Sequence, residues 1–413
     1  MSVMKKITKS PVIIKIYTLI IGGLLMILVS PTLLFIPRKK KQMILVGTAD
    51  GLFIDNVKYF FLHLEKAKPD LKHYFLTSNS LVFKNLTNHF DNILFYPSLK
   101  SMWIMLRSGI VVMDNTVLDQ KFRFVFLKGA KHIQIWHGAG IKKFWNNNPK
   151  LTTRILQPYF AFTEKKRHFD SFISTSEFFT KNYFQQAFQS HQFPRTGYPR
   201  NDIFWQDNPY DKFIFLETDD KCLQKIKEFK EKNNKVIAYV PTFRGVRGQG
   251  NNAPAFDMVR LNQFAEENNL LFVFKLHPIL SNSNAELEFD RILWHESNKD
   301  IYPILLYCDA MITDYSSIFM DYMILNRPIL FYMYDKEDYE ERDRELCDFY
   351  QDFMIGKQAH QQSELETNIL EALFLGSQNQ EKRKIALDTT FQHQDANSSQ
   401  RLLQHITETY ISN

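Results

Sequence analysis

Cysteine is scarce, with only Cys222, Cys308 and Cys347 in 413 residues and no paired spacing among them. That excludes a disulfide scaffold and fits a reducing compartment. Glycine (14) and proline (15) are too few for a collagen-like chain. Charged residues make up 23% and hydrophobic ones 45%, so neither a disordered tail nor a polytopic membrane protein is described. Several motifs are missing. No glycine-rich loop precedes Lys-Ser/Thr, and no G-x-G-x-x-G, G-x-S-x-G or zinc-like Cys/His spacing occurs. No D-x-D pair stands at a strand end to hold a divalent ion beside a nucleotide. A site in this chain is therefore expected to meet phosphate with histidine, arginine, hydroxyls and helix amides, without a metal or other cofactor.

The net charge of +6 is local. Lys5, Lys6, Lys9, Lys15 and Arg38 to Lys41 give the first 41 residues +8 with no acid, which leaves the rest of the chain at −2. A near-neutral body behind a basic leader points to anionic lipid rather than nucleic acid. Between the basic flanks, 22 residues from Ile16 to Pro37 carry no charge. They are long enough to cross a hydrocarbon core of roughly 30 Å as an uncleaved anchor. A cleaved secretory signal fits less well, because the stretch ends in Pro37 and four cations. Gly22-Gly23 and Pro31 also allow a shallow segment lying in one leaflet. The flanks are equally basic and do not orient a spanning form, but the basic block after Pro37 suits anionic lipid heads, so the body is expected on the cytoplasmic face of the cell membrane.

The body alternates strand-length apolar runs with helix-length amphipathic ones. Strands are expected at Met43–Val46, Tyr74–Thr77, Ile93–Tyr96, Ile110–Met113, Ile133–Trp136 and Phe172–Thr175. Helices are expected at Phe53–Leu64 and Glu177–Phe188. After a polar separator at 207–234 the rhythm resumes, with strands at Val236–Val240, Leu271–Leu276, Ala310–Thr313 and Ile329–Tyr332. Helices there fall at Met258–Glu267 and Asp300–Tyr307. This reads as an α/β protein of two parallel-sheet halves, with ligand bound between them at the strands' carboxyl ends.

Four polar interruptions at strand ends carry candidate chemistry. Trp136-His137-Gly138-Ala139-Gly140 with Lys142-Lys143 offers a general base and two phosphate partners, or else a capped strand end with surface lysines. Lys275-Leu276-His277-Pro278 presents a second histidine, restrained by proline. Thr313-Asp314-Tyr315-Ser316-Ser317 runs into a helix at Ile318–Leu325, where hydroxyls and first-turn amides suit an anion, or an ordinary cap. Arg244 and Arg200 stand in tight turns and suit bidentate phosphate recognition.

In this order, the motifs resemble the CDP-glycerol glycerophosphotransferase family, which primes and polymerises teichoic acids and related phosphate-linked capsules. The matching stretches are Ile135–Gly138 with Lys142-Lys143, Gly197–Asp202, Pro241–Arg244, Lys275–Pro278 and the block from Asp300 to Tyr339. The resemblance implies a GT-B-like fold of two Rossmann-like domains with CDP held mainly by the second. It implies transfer of a polyol phosphate from CDP-glycerol or CDP-ribitol to a lipid-linked glycan, with release of CMP. The family's two essential histidines map to His137 and His277, and its nucleotide-phosphate contacts to Arg244, Ser316 and Ser317. Where the family commonly has Thr-Pro after His-Gly, this chain has Ala139-Gly140, a change expected to loosen the loop. The expected layout is an anchor (1–41), an acceptor lobe (42–206), a CDP lobe (207–362) and a helical brace (363–413). A GT-B glycosyltransferase using a CMP- or UDP-sugar is the alternative, since polysialyltransferase-like enzymes also carry His-Pro and Ser-Ser motifs.

Overall fold

The computed structural model describes residues 29, 31, 35–48, 50–115, 123–143, 168–205, 212–242, 256–275, 289–342, 345–375 and 380–412. The expected anchor falls almost wholly outside the described residues, as do His277 and Arg244. No helix among the described residues is long and apolar enough to cross a membrane.

The first sheet comprises β1 (Lys39–Val46), β2 (Lys72–Thr77), β3 (Ile93–Phe95), β4 (Ser108–Met113), β5 (Lys131–Gln134) and β6 (Ser171–Phe172). The second comprises β7 (Lys235–Tyr239), β8 (Leu270–Phe274), β9 (Ile292–Trp294), β10 (Ala310–Thr313), β11 (Ile329–Tyr332) and β12 (Gln358–Ala359). Every pairing is parallel. The orders are β3-β2-β1-β4-β5-β6 and β12-β11-β10-β7-β8-β9. Both are the doubly wound order, with the switch between β1 and β4 in one lobe and between β7 and β10 in the other. Buried on both faces, the central strands read as unbroken apolar runs such as Met43–Val46 and Leu270–Phe274.

Helix α1 (Asp55–Ala67) follows β1 and buries Val57, Phe60, Phe61 and Leu64. Helix α2 (Leu99–Arg107) starts at a reciprocal Ser98/Ser101 capping box and leads into β4. The polar stretch read as a separator holds helix α3 (Asp220–Glu231), capped by Asp219 and packed on β7 and β8. Helix α4 (Met258–Glu267) backs β8. The helix expected at Ile318–Leu325 is α5 (Ile318–Tyr322), tightening into a 3-10 turn over Met323–Leu325. Helix α6 (Gln362–Leu370) packs on β11 and β12, so it belongs with the second sheet. The chain then crosses back. Helix α7 (Gln380–Thr390) touches elements of both halves, and α8 (Ser398–Ile406) lies against α1.

Two buried charge systems join the lobes. The ammonium of Lys58 on α1 is 2.7 Å from Asp300, and it also donates to the carbonyls of Ile214 and Leu216. Burial pulls the Lys58 pKa down, against the attraction of Asp300. Arg200 forms the second system, described below.

The basic block after Pro37 divides. Lys39 to Lys41 open β1 and stay exposed. Arg38, expected to face lipid, turns inward and donates to the carbonyls of Met105 (2.6 Å), Ser108 (2.9 Å), Phe126 (3.0 Å) and Lys128. Carbonyls at the end of α2 are natural partners for a guanidinium, which explains why it leaves the surface.

Candidate functional site

The site is built at the carboxyl ends of the strands. β5 stops at Gln134, two residues earlier than its apolar run suggests, because Trp136 takes a left-handed conformation with φ 50°. For a bulky residue that is a strained state costing about 1–3 kcal/mol. The turn is held by Asn56 at the start of α1, whose amide donates to the Trp136 carbonyl at 2.8 Å. It swings His137 out of the sheet, with its ring 4.1 Å from the Trp136 ring.

His137 is exposed, and its Nδ1 lies 3.0 Å from the backbone carbonyl of Asp114, the residue that ends β4. A carbonyl can only accept, so Nδ1 carries the hydrogen. In the neutral ring Nε2 then has the lone pair, the tautomer a general base requires. The Asp114 carboxyl takes no part in this bond. It is fully buried, and burial together with nearby Asp55 holds its pKa well above the usual carboxylate range.

Gly138 brings the two lobes together. A Cβ built there would stand 2.6 Å from the Ser317 hydroxyl, at a backbone φ of 156°. The histidine loop therefore touches the start of α5, and only glycine fits. Ser317 and Ser316 are half-buried, and the Ser317 side chain makes no capping bond to its own helix. The loop does not gain the freedom expected of Ala139-Gly140. Ala139 is buried, and a Cβ at Gly140 would fall 2.0 Å from the Tyr183 ring.

Past Gly140 the chain reaches across to the second lobe. Lys142 pairs with Leu346 in an antiparallel bridge, flanked by hydrogen bonds from Cys347 to Ile141 and from Lys143 to Glu345. The Lys142 ammonium is 3.3 Å from the Thr242 hydroxyl and 5.6 Å from the centre of the Tyr339 ring. Thr242 follows β7, and its amide donates at 2.7 Å to Asp314, which follows β10. Lys142 and Thr242 thus stand at the switch point of the second sheet, where doubly wound folds bind ligands. Asp314 is fully buried, and through Oδ1 it ties the ends of β7 and β10 together.

Two expected phosphate partners, Lys143 and Arg200, each contact carboxylates of the chain. Lys143 is exposed, 3.2 Å from Asp348 and 3.5 Å from Glu345, and Asp348 raises its pKa. Arg200 is 2% exposed and held by carboxylates of both lobes, Asp55 at 2.5 Å and Asp321 at 2.6 Å. It also donates to the His137 carbonyl at 2.9 Å and lies over the Tyr302 ring. Burial opposes its charge, but Asp321 and Asp55 hold the pKa well above its ordinary value. Arg200 thus clamps Asp55, the His137 loop and Asp321 together.

Sequence reasoning passed over Asp114, Asn56, Asp321 and Thr242 as site residues. The polar pair Asp114-Asn115 after the apolar run of β4 was a signal of the same kind as the others. Lys275 ends β8 with its amine on the carbonyls of Lys299 (2.8 Å) and Ser297 (3.4 Å), and burial pulls its pKa down to about 8. No group of three or more His, Cys, Asp or Glu residues that could hold a metal ion occurs among the described residues.

Fold and site together define a two-lobed α/β protein whose polar residues gather at the carboxyl ends of facing parallel sheets. The family model of CDP-glycerol:poly(glycerophosphate) glycerophosphotransferase matches residues 28–408, and the chain belongs to that family, one of transferases. It is 31% identical over 317 residues to the teichoic acid glycerol-phosphate primase of Bacillus subtilis, covering 75% of this chain and 76% of that protein. It is 29% identical over 287 residues to a teichoic acid ribitol-phosphate polymerase of Staphylococcus aureus, covering 68% of this chain but 48% of the polymerase. A solved structure of a variant of the wall teichoic acid polymerase TagF, soaked with CDPG, superposes with a TM-score of 0.70. It covers 91% of this chain and 90% of that one at 22% identity, a likeness of fold.

Proposed function

We propose that the protein transfers glycerol phosphate or ribitol phosphate from a CDP-alcohol to a hydroxyl of a lipid-linked glycan or polymer, releasing CMP, in the synthesis of a teichoic-acid-like or capsular polymer. Family membership and relatives that act on both polyols support this reading. The lobes are read as a GT-B-like pair working at the cytoplasmic face of the membrane.

The observation that carries the mechanism is the His137 loop, with its Nδ1 hydrogen on the Asp114 carbonyl and its Gly138 against Ser317. Nε2 of His137 takes the proton as the acceptor O–H bond breaks and the oxygen attacks the phosphorus bearing the alcohol. The new P–O bond forms as the bond to the bridging oxygen breaks, and the electron pair leaves with CMP. Lys142 and the hydroxyls of Ser316 and Ser317 meet the pyrophosphate charge, in a reading that uses no metal. His277 and Arg244, outside the described residues, take the second-histidine and phosphate roles that the family resemblance implies.

The test is nucleotide release by the full chain with a lipid-linked acceptor and, in turn, CDP-glycerol, CDP-ribitol, CMP-sialate and UDP-sugars. CMP release from one or both CDP-alcohols is expected. Turnover of a CMP- or UDP-sugar alone would overturn the reading.

A further inference from the structure

The carboxyl ends of the first sheet hold a cation that the fold leaves unmatched. Arg123 opens the short helix Arg123–Leu127 between β4 and β5 and is fully buried. Its Nη2 donates to the Ser78 hydroxyl at 2.9 Å, and the guanidinium lies 5.7 Å from the centre of the Tyr96 ring. Ser78 follows β2 and Tyr96 follows β3. Among the described residues, the single N–H of Nε and both of Nη1 have no acceptor. Other inward-turned arginines are met by the chain. Arg38 has four carbonyls, Arg327 those of Leu306 and Cys308, Arg383 those of Met323 and Arg327, and Arg200 two carboxylates.

Burial pulls the Arg123 pKa down, against the attraction of Tyr96 and Asp50. Asp50 is the one carboxylate acting on it among the described residues, and it is exposed, where water weakens its pull. A buried cation in this position is strongly unfavourable until an anion meets it. The surroundings are built to hold it in place. A Cβ at Gly51 would lie 2.5 Å from the Thr77 Cα, and the Ser78 amide donates to the Asp50 carbonyl at 2.7 Å. The turn after β1 is thus pressed on the end of β2. Asn115, next to the residue whose carbonyl orients His137, donates to the Thr48 hydroxyl at 3.0 Å. Thr48, Ser78 and Asn115 are half-buried, so polar groups reach the surface along this row of strand ends. From Ser78 to His137 the row crosses β2, β1, β4 and β5, three strand spacings or roughly 14 Å.

We propose that Arg123, with the Ser78 hydroxyl, binds a phosphate group of the acceptor, a phosphodiester or a pyrophosphate set back from the hydroxyl that His137 deprotonates. The inference rests on the transfer proposed above and deepens it, because the first lobe then reads the charge of the acceptor as well as its hydroxyl. The chemistry of the reaction supplies such an anion. Each transfer leaves a phosphodiester behind, so an acceptor extended once already carries one. Guanidinium N–H groups and a hydroxyl are the donors that phosphate oxygens take up best.

The test is calorimetry on the full chain with CDP saturating the donor side, titrating glycerophosphoglycerol, inorganic pyrophosphate and glycerol in turn. Wild type is expected to bind one or both phosphate probes and not glycerol. Binding of the phosphodiester alone assigns the site to the growing polymer, and of pyrophosphate alone to the lipid linkage. Arg123→Met is expected to weaken the bound probe about 10- to 100-fold. Its urea midpoint is expected to be no lower than that of wild type, since it removes a buried cation that lacks a buried carboxylate partner. Ser78→Ala keeps the cation and is expected to weaken the probe by a smaller factor. Wild-type affinity in both variants overturns the proposal, as does failure of wild type to bind either probe. A lower urea midpoint in Arg123→Met makes the guanidinium a group that holds the fold and overturns it as well. CDP binding and CMP release are measured separately, so failure of the donor reading is told apart from failure of this one.

Discussion

The imidazole of His137 is oriented by a peptide carbonyl, and this sets its tautomer. The Asp114 carboxyl close by takes no part in that bond, and burial together with Asp55 raises its pKa well above the ordinary range. Loss of a general base lowers turnover by about 10²- to 10⁴-fold. His137→Ala is expected to fall in that range while CDP still binds, read by single-turnover CMP release and by calorimetry. Gly138 makes a second expectation at this scale. Gly138→Ala forces a methyl against the Ser317 hydroxyl and strains the backbone by about 1–3 kcal/mol. Turnover should drop, and adding Ser317→Gly should restore part of it; if the contact is irrelevant, the second change restores nothing.

Between elements, one guanidinium joins the helix after β1 (Asp55), the histidine loop (the His137 carbonyl) and the helix after β10 (Asp321). These come from both lobes, so Arg200 fixes where the imidazole stands relative to Ser317. Tyr302 donates to the same Asp321 at 2.7 Å, which completes a buried network. Removing the cation leaves the buried Asp321 carboxylate and the partly exposed Asp55 without their counter-charge, a loss of about 3–5 kcal/mol. Arg200→Ala is expected to unfold at correspondingly lower denaturant. Arg200→Lys keeps the charge but not the fork, and should recover stability better than kcat. Equal recovery of both would make Arg200 a purely structural residue.

Over the whole molecule, the returning helices tie the chain's end to its first lobe. Asp202 accepts the amides of Ser398 and Ser399, each at 2.9 Å, at the start of α8. Burial nevertheless pushes its pKa from the ordinary 3.8 up to about 6. Between these values the unfolded chain gives up the proton while the folded one keeps it, so stability falls as pH rises from about 4 to 6 and then levels off. The loss from this group is at most about 3 kcal/mol. Asp202→Asn cannot ionise. Urea unfolding of wild type minus that of the variant should therefore decline across this window and be flat above it; a difference that does not vary with pH refutes the coupling.

The alternation that builds two parallel sheets is written in the hydropathy pattern, because strands buried on both faces must be apolar along their whole length. Ala310–Thr313 and Ile329–Tyr332 fall where their apolar runs place them. β9 and β12, three and two residues long, are too short to give a pattern. Trp136 ends β5 early through a backbone conformation that no hydropathy reading detects. The histidine loop and the serine pair were legible because a polar motif after an apolar strand end has few structural reasons to exist. What the cations do depends on which acceptors folding brings to them. An arginine in a turn looks the same whether it awaits phosphate or is already held by carboxylates. Arg200 and Arg38 were drawn inside by acceptors far away in the chain, where the attraction of a desolvated partner outweighs exposure to water.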